Sequence, residues 1–253
     1  MLAVLMARLP KSTFVIALIA CVLFKALPAA ACGASGAGPT GVSYCSLEEH
    51  EEEIRNKWRV GAAYGFTSTR IFFGDLTLPE TRQITLASIA YRPTRTWTIE
   101  AGLGALLTGQ LRRDTERYRF HPGVVAAVAG SWRALEASGL RPFILFTGRL
   151  SYLDTKTQLV DDSTTVAYRA LDLRLGALVG WPLYQTLSPY LVTRGFGGPI
   201  FWTYRGESQL GTDAYKYQVG AGLSLVLAET LDVFVEGIAL GERGVTAGAG
   251  VAF

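Results

Sequence analysis

Histidine, cysteine and methionine are scarce in this sequence, with two, three and two residues among 253. Neither the cysteines nor the histidines have the spacing of a zinc or other metal site. The sequence also lacks a glycine-rich phosphate loop, a serine nucleophile elbow and a zinc-hydrolase signature. These absences predict a protein without a metal ion, a cofactor or catalytic residues in a known motif.

Charge is also low, because only 18% of the residues are charged and 49% are hydrophobic. Three of the 24 basic residues, Arg8, Lys11 and Lys25, lie in the first 31 residues, which contain no acid. The other 21 basic residues balance the 21 acidic residues, so the rest of the chain is neutral. This balance predicts no nucleic-acid partner. The composition is too apolar for an ordinary soluble enzyme.

Residues 1–31 have the pattern of a secretory signal peptide. Basic residues precede an apolar stretch from Phe14 to Phe24, and three alanines before Cys32 provide a cleavage site. A transmembrane anchor is the alternative, but Lys25 ends the apolar run short of the roughly 20 residues that a membrane helix needs. Acylation of Cys32, as in a lipoprotein, is a second alternative. We therefore expect export.

Residues 32–57 are expected to form a short periplasmic segment. Removal of the leader leaves Cys32 and Cys45, which an oxidising compartment would join in a disulfide. A capping-box pattern at 46–49 then predicts a short acidic helix. Glu49, His50 and Glu53 are alternative metal ligands there, although such a charge run is typical of a solvated helix.

From Trp58 onward no apolar run reaches the length of a membrane helix. Polar and apolar residues alternate instead, in segments of about ten residues that are separated by turn residues. Val219 and Leu223, for example, fall on the face opposite Gln218. Such alternation predicts antiparallel strands. We count ten segments: 58–69, 83–92, 97–108, 120–133, 142–153, 168–182, 189–203, 214–228, 231–240 and 244–253.

The ends of these segments are rich in aromatic residues. Amphipathic rings are favoured at both surfaces of a bilayer, so two aromatic belts around an aliphatic band predict a membrane-spanning barrel. Short connections alternate with longer ones at 109–119, 154–167 and 204–213, as in an up-and-down barrel of about ten strands, with eight or twelve as alternatives. The predicted girdle at the short-turn end comprises Trp58, Trp97, Trp132, Trp181 and Tyr190.

The last strand alternates from Val245 and ends on Phe253. Residues 58–253 thus resemble the outer-membrane β-barrel proteins of Gram-negative bacteria. The resemblance implies residence in the outer membrane, with its lipid and lipopolysaccharide as partners. It also implies that Phe253, with Val251, is the signal that the barrel assembly machinery recognises. Because an open sheet edge is costly in lipid, we expect the last strand to pair with strand 58–69.

Charged residues on the opposite face of the strands are expected to point into the barrel. Ten strands enclose a narrow lumen that side chains mostly fill. The charges then form either an ion-pair network that packs the interior or a constriction that passes small solutes. The predicted network comprises Arg59, Glu100, Arg149, Asp172, Arg174, Lys216, Asp232 and Glu236.

Two enzymatic alternatives follow from barrel hydrolases of similar size. Surface proteases use acidic and His-Asp pairs at the outer rim, where Asp161, Asp162, Asp213 and His121 are candidates. Lipid-modifying hydrolases pair a serine with a histidine. Neither family's motif is present, so we expect a non-enzymatic barrel with a structural, adhesive or narrow-pore role, and a surface hydrolase is the alternative. A basic loop at 110–121 can bind lipopolysaccharide phosphates through Arg112, Arg113, Arg117 and Arg119.

Overall fold

The computed structural model describes residues 57–253, apart from 114–115, 139–140, 161–163, 184–185, 205 and 228–229. The predicted signal peptide, the Cys32–Cys45 disulfide and the acidic helix with His50 lie outside the described residues. No described helix has the length and hydropathy that a membrane span requires.

The described residues form 13 antiparallel strands in a single sheet. The strands follow the alternation of the sequence: in the first one, Val60 and Tyr64 face outward while Arg59 and Ala63 are buried. Their bounds are β1 (Trp58–Phe73), β2 (Leu76–Tyr91), β3 (Trp97–Arg113), β4 (Glu116–Phe120), β5 (Gly123–Leu135), β6 (Phe143–Leu159), β7 (Thr165–Gly180), β8 (Leu187–Gly197), β9 (Ile200–Tyr204), β10 (Glu207–Asp213), β11 (Tyr217–Val226), β12 (Leu231–Gly241) and β13 (Arg243–Ala252).

The sheet closes into a barrel because the last strand pairs with the first. Arg59 lies opposite Ala252, and the pairing continues to Ser68 opposite Arg243. Beyond the strand end, the backbone N–H groups of Trp58 and Phe253 donate to each other's carbonyl oxygens at 3.0 and 2.8 Å. The expected pairing of the last strand with the first is thus confirmed, and the closed antiparallel barrel has no free edge at this seam.

The barrel has different strand numbers at its two ends. Near the termini, ten strands form what we call the lower ring, in the order β1-β2-β3-β5-β6-β7-β8-β11-β12-β13. The β12–β13 hairpin ends at Glu242, and above it β10 crosses to pair with β1 at Ile71–Phe73. The upper ring therefore has eight strands, in the order β1-β2-β3-β4-β6-β7-β9-β10.

The prediction of about ten strands is too low, since 13 are present among the described residues. The difference arises at three interruptions. Pro122 separates β4 from β5 and Pro199 separates β8 from β9, because proline has no N–H group for the sheet. The third interruption, at 214–216, lies where the chain leaves its pairing with β1 and enters the lower ring.

The prediction of long loops at the upper end is also wrong. Most of the residues assigned to them extend the strands, which are joined by short turns such as Gly74–Asp75. β1 alone has 16 residues, against the roughly 9–11 that a tilted strand needs to cross a bilayer. The upper ring therefore extends beyond the thickness of a membrane.

Candidate functional site

Paired charges line the interior of the lower ring. The guanidinium of Arg59 donates two hydrogen bonds to Asp232, with Nη2–Oδ1 and Nε–Oδ2 distances of 2.6 and 3.0 Å. Arg194 binds Glu236 in the same two-pronged way at 3.0 and 2.8 Å, and the Tyr190 hydroxyl also donates to Glu236. Such pairing compensates the loss of hydration that burial imposes on each charge.

More charges lie where the two rings meet. Arg174 on β7 donates from Nε to Asp172 at 2.5 Å and from Nη2 to Glu242 at 3.0 Å. Glu242 is the single residue between β12 and β13, and it is buried. The tip of this hairpin therefore points into the barrel, where Arg174 holds it.

An acidic residue connects this charged region to the upper ring. Glu80 accepts a hydrogen bond from the Tyr168 hydroxyl at 3.1 Å, and its second carboxylate oxygen lies 3.0 Å from Nε of Arg82. Glu80 and Tyr168 are fully buried, and Asp213 is buried on β10. The transition between the rings is thus polar and buried, and its charged side chains pair with one another.

Aromatic and aliphatic side chains fill the upper ring. Trp202 is fully buried and donates from Nε1 to the Thr157 hydroxyl at 2.9 Å, and the ring of Tyr118 meets it edge-on. Phe120 and Tyr168 form a second edge-on pair, with their centroids 4.8 Å apart. The buried cluster, which we call the aromatic plug, contains Ile71, Phe73, Leu78, Leu86, Leu106, Leu111, Tyr118, Phe120, Val125, Leu153, Tyr168, Ala170, Ile200 and Trp202.

The lumen cavity that is lined by described residues is small. A cavity of about 60 Å³ lies between the charged region and the plug, lined in part by Arg82, Arg149 and Asp172. It can hold a few water molecules, but small-molecule sites occupy roughly 300–1,000 Å³. Near the termini, a second buried cluster includes Phe143, Leu145 and Tyr190. Side chains thus occupy the lumen at three levels.

The structure places seven of the eight predicted lumen charges at buried or nearly buried positions, and Lys216 is the exception. Lys216 is exposed, so its assignment to the lumen is wrong. It lies in the interruption between β10 and β11, where the alternation is lost, and its ammonium donates to the Thr212 hydroxyl. The seven others are Arg59, Glu100, Arg149, Asp172, Arg174, Asp232 and Glu236.

Five further charges inside the barrel were not predicted to lie there, and one of them, Asp213, is a predicted rim residue that the structure places inside. Glu80 and Arg82 continue the alternation of β2, but Pro79 beside them resembles a turn signal. Asp213 and Glu242 lie at a crossing and a hairpin tip, which leave no periodic pattern. Arg194 lies on the same face of β8 as apolar neighbours, and this face points into the barrel. Its position among those neighbours could therefore have identified it as a lumen residue.

The predicted girdle is partly misplaced. Trp58, Trp97, Trp132 and Trp181 are exposed on the outer face near the termini, and the Trp97 and Trp132 rings stack with centroids 6.4 Å apart. Tyr190 is buried inside the barrel against Glu236, so its assignment to the girdle is wrong. The aromatic residues Phe120, Tyr168 and Trp202, which lie near the other ends of the strands, are also inside the barrel.

His121 does not contact a catalytic partner among the described residues. Its Nε2 lies 2.9 Å from the Gln158 side-chain oxygen, and its carbonyl accepts a hydrogen bond from Thr155. Asp161 and Asp162 lie outside the described residues. No described group of three or more His, Cys, Asp or Glu side chains could hold a metal ion.

The predicted basic loop is a strand pair. Arg112 and Arg117 lie opposite each other on β3 and β4, and Arg119 lies opposite Gln110. These three arginines are exposed. Arg113 turns toward the plug, and its guanidinium lies 4.4 Å from the centre of the Tyr204 ring.

No protein-family model matches this chain, and no curated protein matches it. Solved structures with a similar architecture include the transport unit of the autotransporter AIDA-I from Escherichia coli, at 11% identity and a TM-score of 0.46 over 82% of this chain and 93% of that one. The outer membrane protease OmpT from Escherichia coli is 10% identical with a TM-score of 0.48, over 81% and 99% of the two chains. The translocator domain of the autotransporter NalP from Neisseria meningitidis is 12% identical with a TM-score of 0.44, over 81% and 90%. Similarity at this level does not indicate a function.

The residues on the outer face of the barrel indicate that the protein lies in a membrane. Large apolar side chains such as Ile99, Leu103 and Leu175 are exposed on it, bounded by the tryptophans near the termini. A closed strand barrel satisfies all of its backbone hydrogen bonds within lipid. The protein is an outer-membrane β-barrel.

Proposed function

We propose that this protein is a non-conducting, non-enzymatic barrel with a structural role in the outer membrane. The filled lumen supports this proposal more than any other observation. The chain termini face the periplasm in barrels of this kind, so the upper ring would project from the cell surface. The projecting ring would then present a rigid surface that is closed to solutes.

The contents of both rings support a closed lumen. An ion or sugar that entered from outside would have to displace Trp202 and Tyr168, which pack in a ring of only eight strands. Eight strands leave an interior just wide enough for side chains, whereas open porins have roughly 16–18 strands. The solute would next meet the bidentate Arg59–Asp232 and Arg194–Glu236 pairs.

Planar-bilayer recording tests this role. Purified, refolded protein should give no stepwise conductance above the background of the bilayer, at either polarity. Heat-modifiable migration in gels should confirm that the barrel is folded in the same preparation. Reproducible conductance steps from the folded wild type would contradict the proposal and favour the narrow-pore alternative.

The surface-hydrolase alternative has a separate test. Peptide and lipopolysaccharide hydrolysis are measured with the wild type and with His121→Ala. We expect no activity from either protein. Activity that the substitution abolishes would make the protein an enzyme, because His121 is the only histidine of residues 58–253.

The barrel assembly machinery is the proposed partner during biogenesis. Phe253 and Val251 are exposed on the outer face of the closing seam. Deletion of Phe253 should leave export intact and reduce insertion, so that the protein accumulates in the periplasm. Unchanged surface levels would show that Phe253 is not the assembly signal.

A further inference from the structure

The outer face changes from apolar to basic across β2, β3 and β4. Phe66 lies opposite Gln83, which lies opposite Thr108, and this row marks the upper limit of the aliphatic face. In the next outward row, Thr81 lies opposite Gln110, and Gln110 lies opposite Arg119. The basic residues therefore begin directly above the part of the wall that contacts lipid.

A groove of about 600 Å³ lies on this boundary, on the outside of the wall. A register shift between Gln83 and Ile84 disturbs the pairing of β2 with β3 at its lower edge. Its lining includes hydrogen-bonding side chains, guanidinium groups and aromatic rings, among them Phe66, Gln83, Thr108, Gln110, Arg117 and Arg119.

The positive charges beside this groove are not neutralised by the described part of the chain. Arg112 and Arg117 lie directly opposite each other, which is destabilising for like charges. No described carboxylate pairs with Arg112, Arg117 or Arg119. On the neighbouring β6–β7 pair, by contrast, Arg169 lies 3.5 Å from Asp154. The groove therefore carries positive charge that no described carboxylate neutralises, unlike the Arg169–Asp154 position.

We propose that this groove binds the phosphorylated headgroup of an outer-leaflet glycolipid. The inference rests on the proposed role, since it requires the upper ring to lie on the outer side of the membrane. Arg117 and Arg119 bind the phosphate, because a guanidinium donates two parallel hydrogen bonds to phosphate oxygens. Gln83, Thr108 and Gln110 face the sugar hydroxyls, and the acyl chains lie along the aliphatic wall below Phe66.

Binding of a phosphorylated lipid A to the detergent-solubilised, full-length barrel tests this site. The same glycolipid without its phosphates, phosphatidylglycerol and inorganic phosphate serve as comparison ligands. Replacing Arg117 and Arg119 by glutamine should raise the Kd for the phosphorylated glycolipid by about tenfold or more. Arg169→Gln is the matched control, because it removes one exposed guanidinium that Asp154 already neutralises, and it should leave the Kd unchanged.

Three outcomes would overturn the assignment: an equal loss of affinity in Arg169→Gln, equal affinity for the dephosphorylated glycolipid, or displacement of the lipid by inorganic phosphate at equal concentration. Retention of phosphate-dependent binding in the wild type, lost only in the groove variant, supports it. Bilayer conductance is measured independently, so failure of this site is distinguishable from failure of the non-conducting role.

A stability measurement gives a second readout. In uncharged detergent, Arg117→Gln should raise the unfolding midpoint, because it removes the repulsion between Arg112 and Arg117. With the phosphorylated glycolipid present, the same substitution should lower the midpoint relative to wild type. A midpoint shift that is independent of the glycolipid would contradict the proposal.

Discussion

The upper and lower rings enclose the same lumen but fill it differently. The upper ring has eight strands and contains the aromatic plug, which includes the fully buried Trp202. The lower ring has ten strands and contains arginine–carboxylate pairs. Strand number sets the width of a barrel. Rigid aromatic side chains are enough to fill the narrow, eight-stranded part of the lumen. Long arginine and carboxylate side chains, which extend from the wall and meet in pairs, occupy the wider, ten-stranded part.

The two fillings stabilise the barrel in different ways. Burial of an aromatic side chain removes about 150–250 Å² of surface from water. Each Å² of apolar area removed stabilises the folded state by roughly 25 cal/mol. A buried ion pair contributes little net stability, because desolvation offsets the attraction, but the loss of one partner is costly. The aromatic plug of the upper ring should therefore stabilise the folded barrel. The ion pairs of the lower ring should instead destabilise any other strand register, because such a register would separate each arginine from its carboxylate.

Removal of Trp202 should have the largest effect. Trp202→Ala leaves a cavity in the plug and is expected to lower the free energy of unfolding by about 3–5 kcal/mol. Trp97→Ala is the matched control, because Trp97 is half exposed on the outer face. The measurement is denaturant unfolding in lipid vesicles. Equal losses for the two substitutions would mean that the plug is not the stabilising element.

In the lower ring, removing one partner of an ion pair should cost more unfolding free energy than removing both partners. Glu236→Leu leaves Arg194 unpaired inside the barrel and should cost about 3–5 kcal/mol of unfolding free energy. Adding Arg194→Met should restore most of that loss, since two apolar residues replace the whole pair. Asp154→Ala, at an exposed ion pair, should cost about 1 kcal/mol or less. A double variant no more stable than Glu236→Leu would show that the pair itself stabilises the ring.

The sequence predicts the lower ring better than the upper one. Period-two alternation is a local property, so it correctly predicts the pairing of β13 with β1 and places Arg59 and Glu236 on the inward face. It fails for Lys216 and for the crossing at 214–216, because the change of partner strand there depends on distant parts of the chain. The eight-stranded ring follows from that crossing and has no periodic signal of its own.

The aromatic residues show a second limit. A ring buried in the plug and a ring in a membrane girdle both appear as an aromatic residue near a strand end. Hydrophobicity cannot separate them when both faces of the wall are apolar, as for β8, where Tyr190 points inward beside Leu191 on the outer face. Knowledge of the lumen width is needed, and the width depends on the closed topology.

The smallest expected effect tests how tightly the lower ring is filled. A Cβ atom at Gly250 on β13 would overlap the guanidinium of Arg59, whereas one at Gly237 on β12 would meet no atom within 4 Å. Gly250→Ala should therefore cost about 1–3 kcal/mol through overpacking. Gly237→Ala should be neutral or stabilising by up to about 1 kcal/mol, because alanine loses less backbone entropy on folding.

A double-mutant cycle assigns that cost to its cause. In a protein that also carries Arg59→Met and Asp232→Leu, the guanidinium is absent, so Gly250→Ala should cost less than it does in the wild type. Unfolding in lipid vesicles gives the four free energies. If Gly250→Ala costs the same in both backgrounds, the overlap with Arg59 is not its cause, and the cost arises from another contact of Gly250.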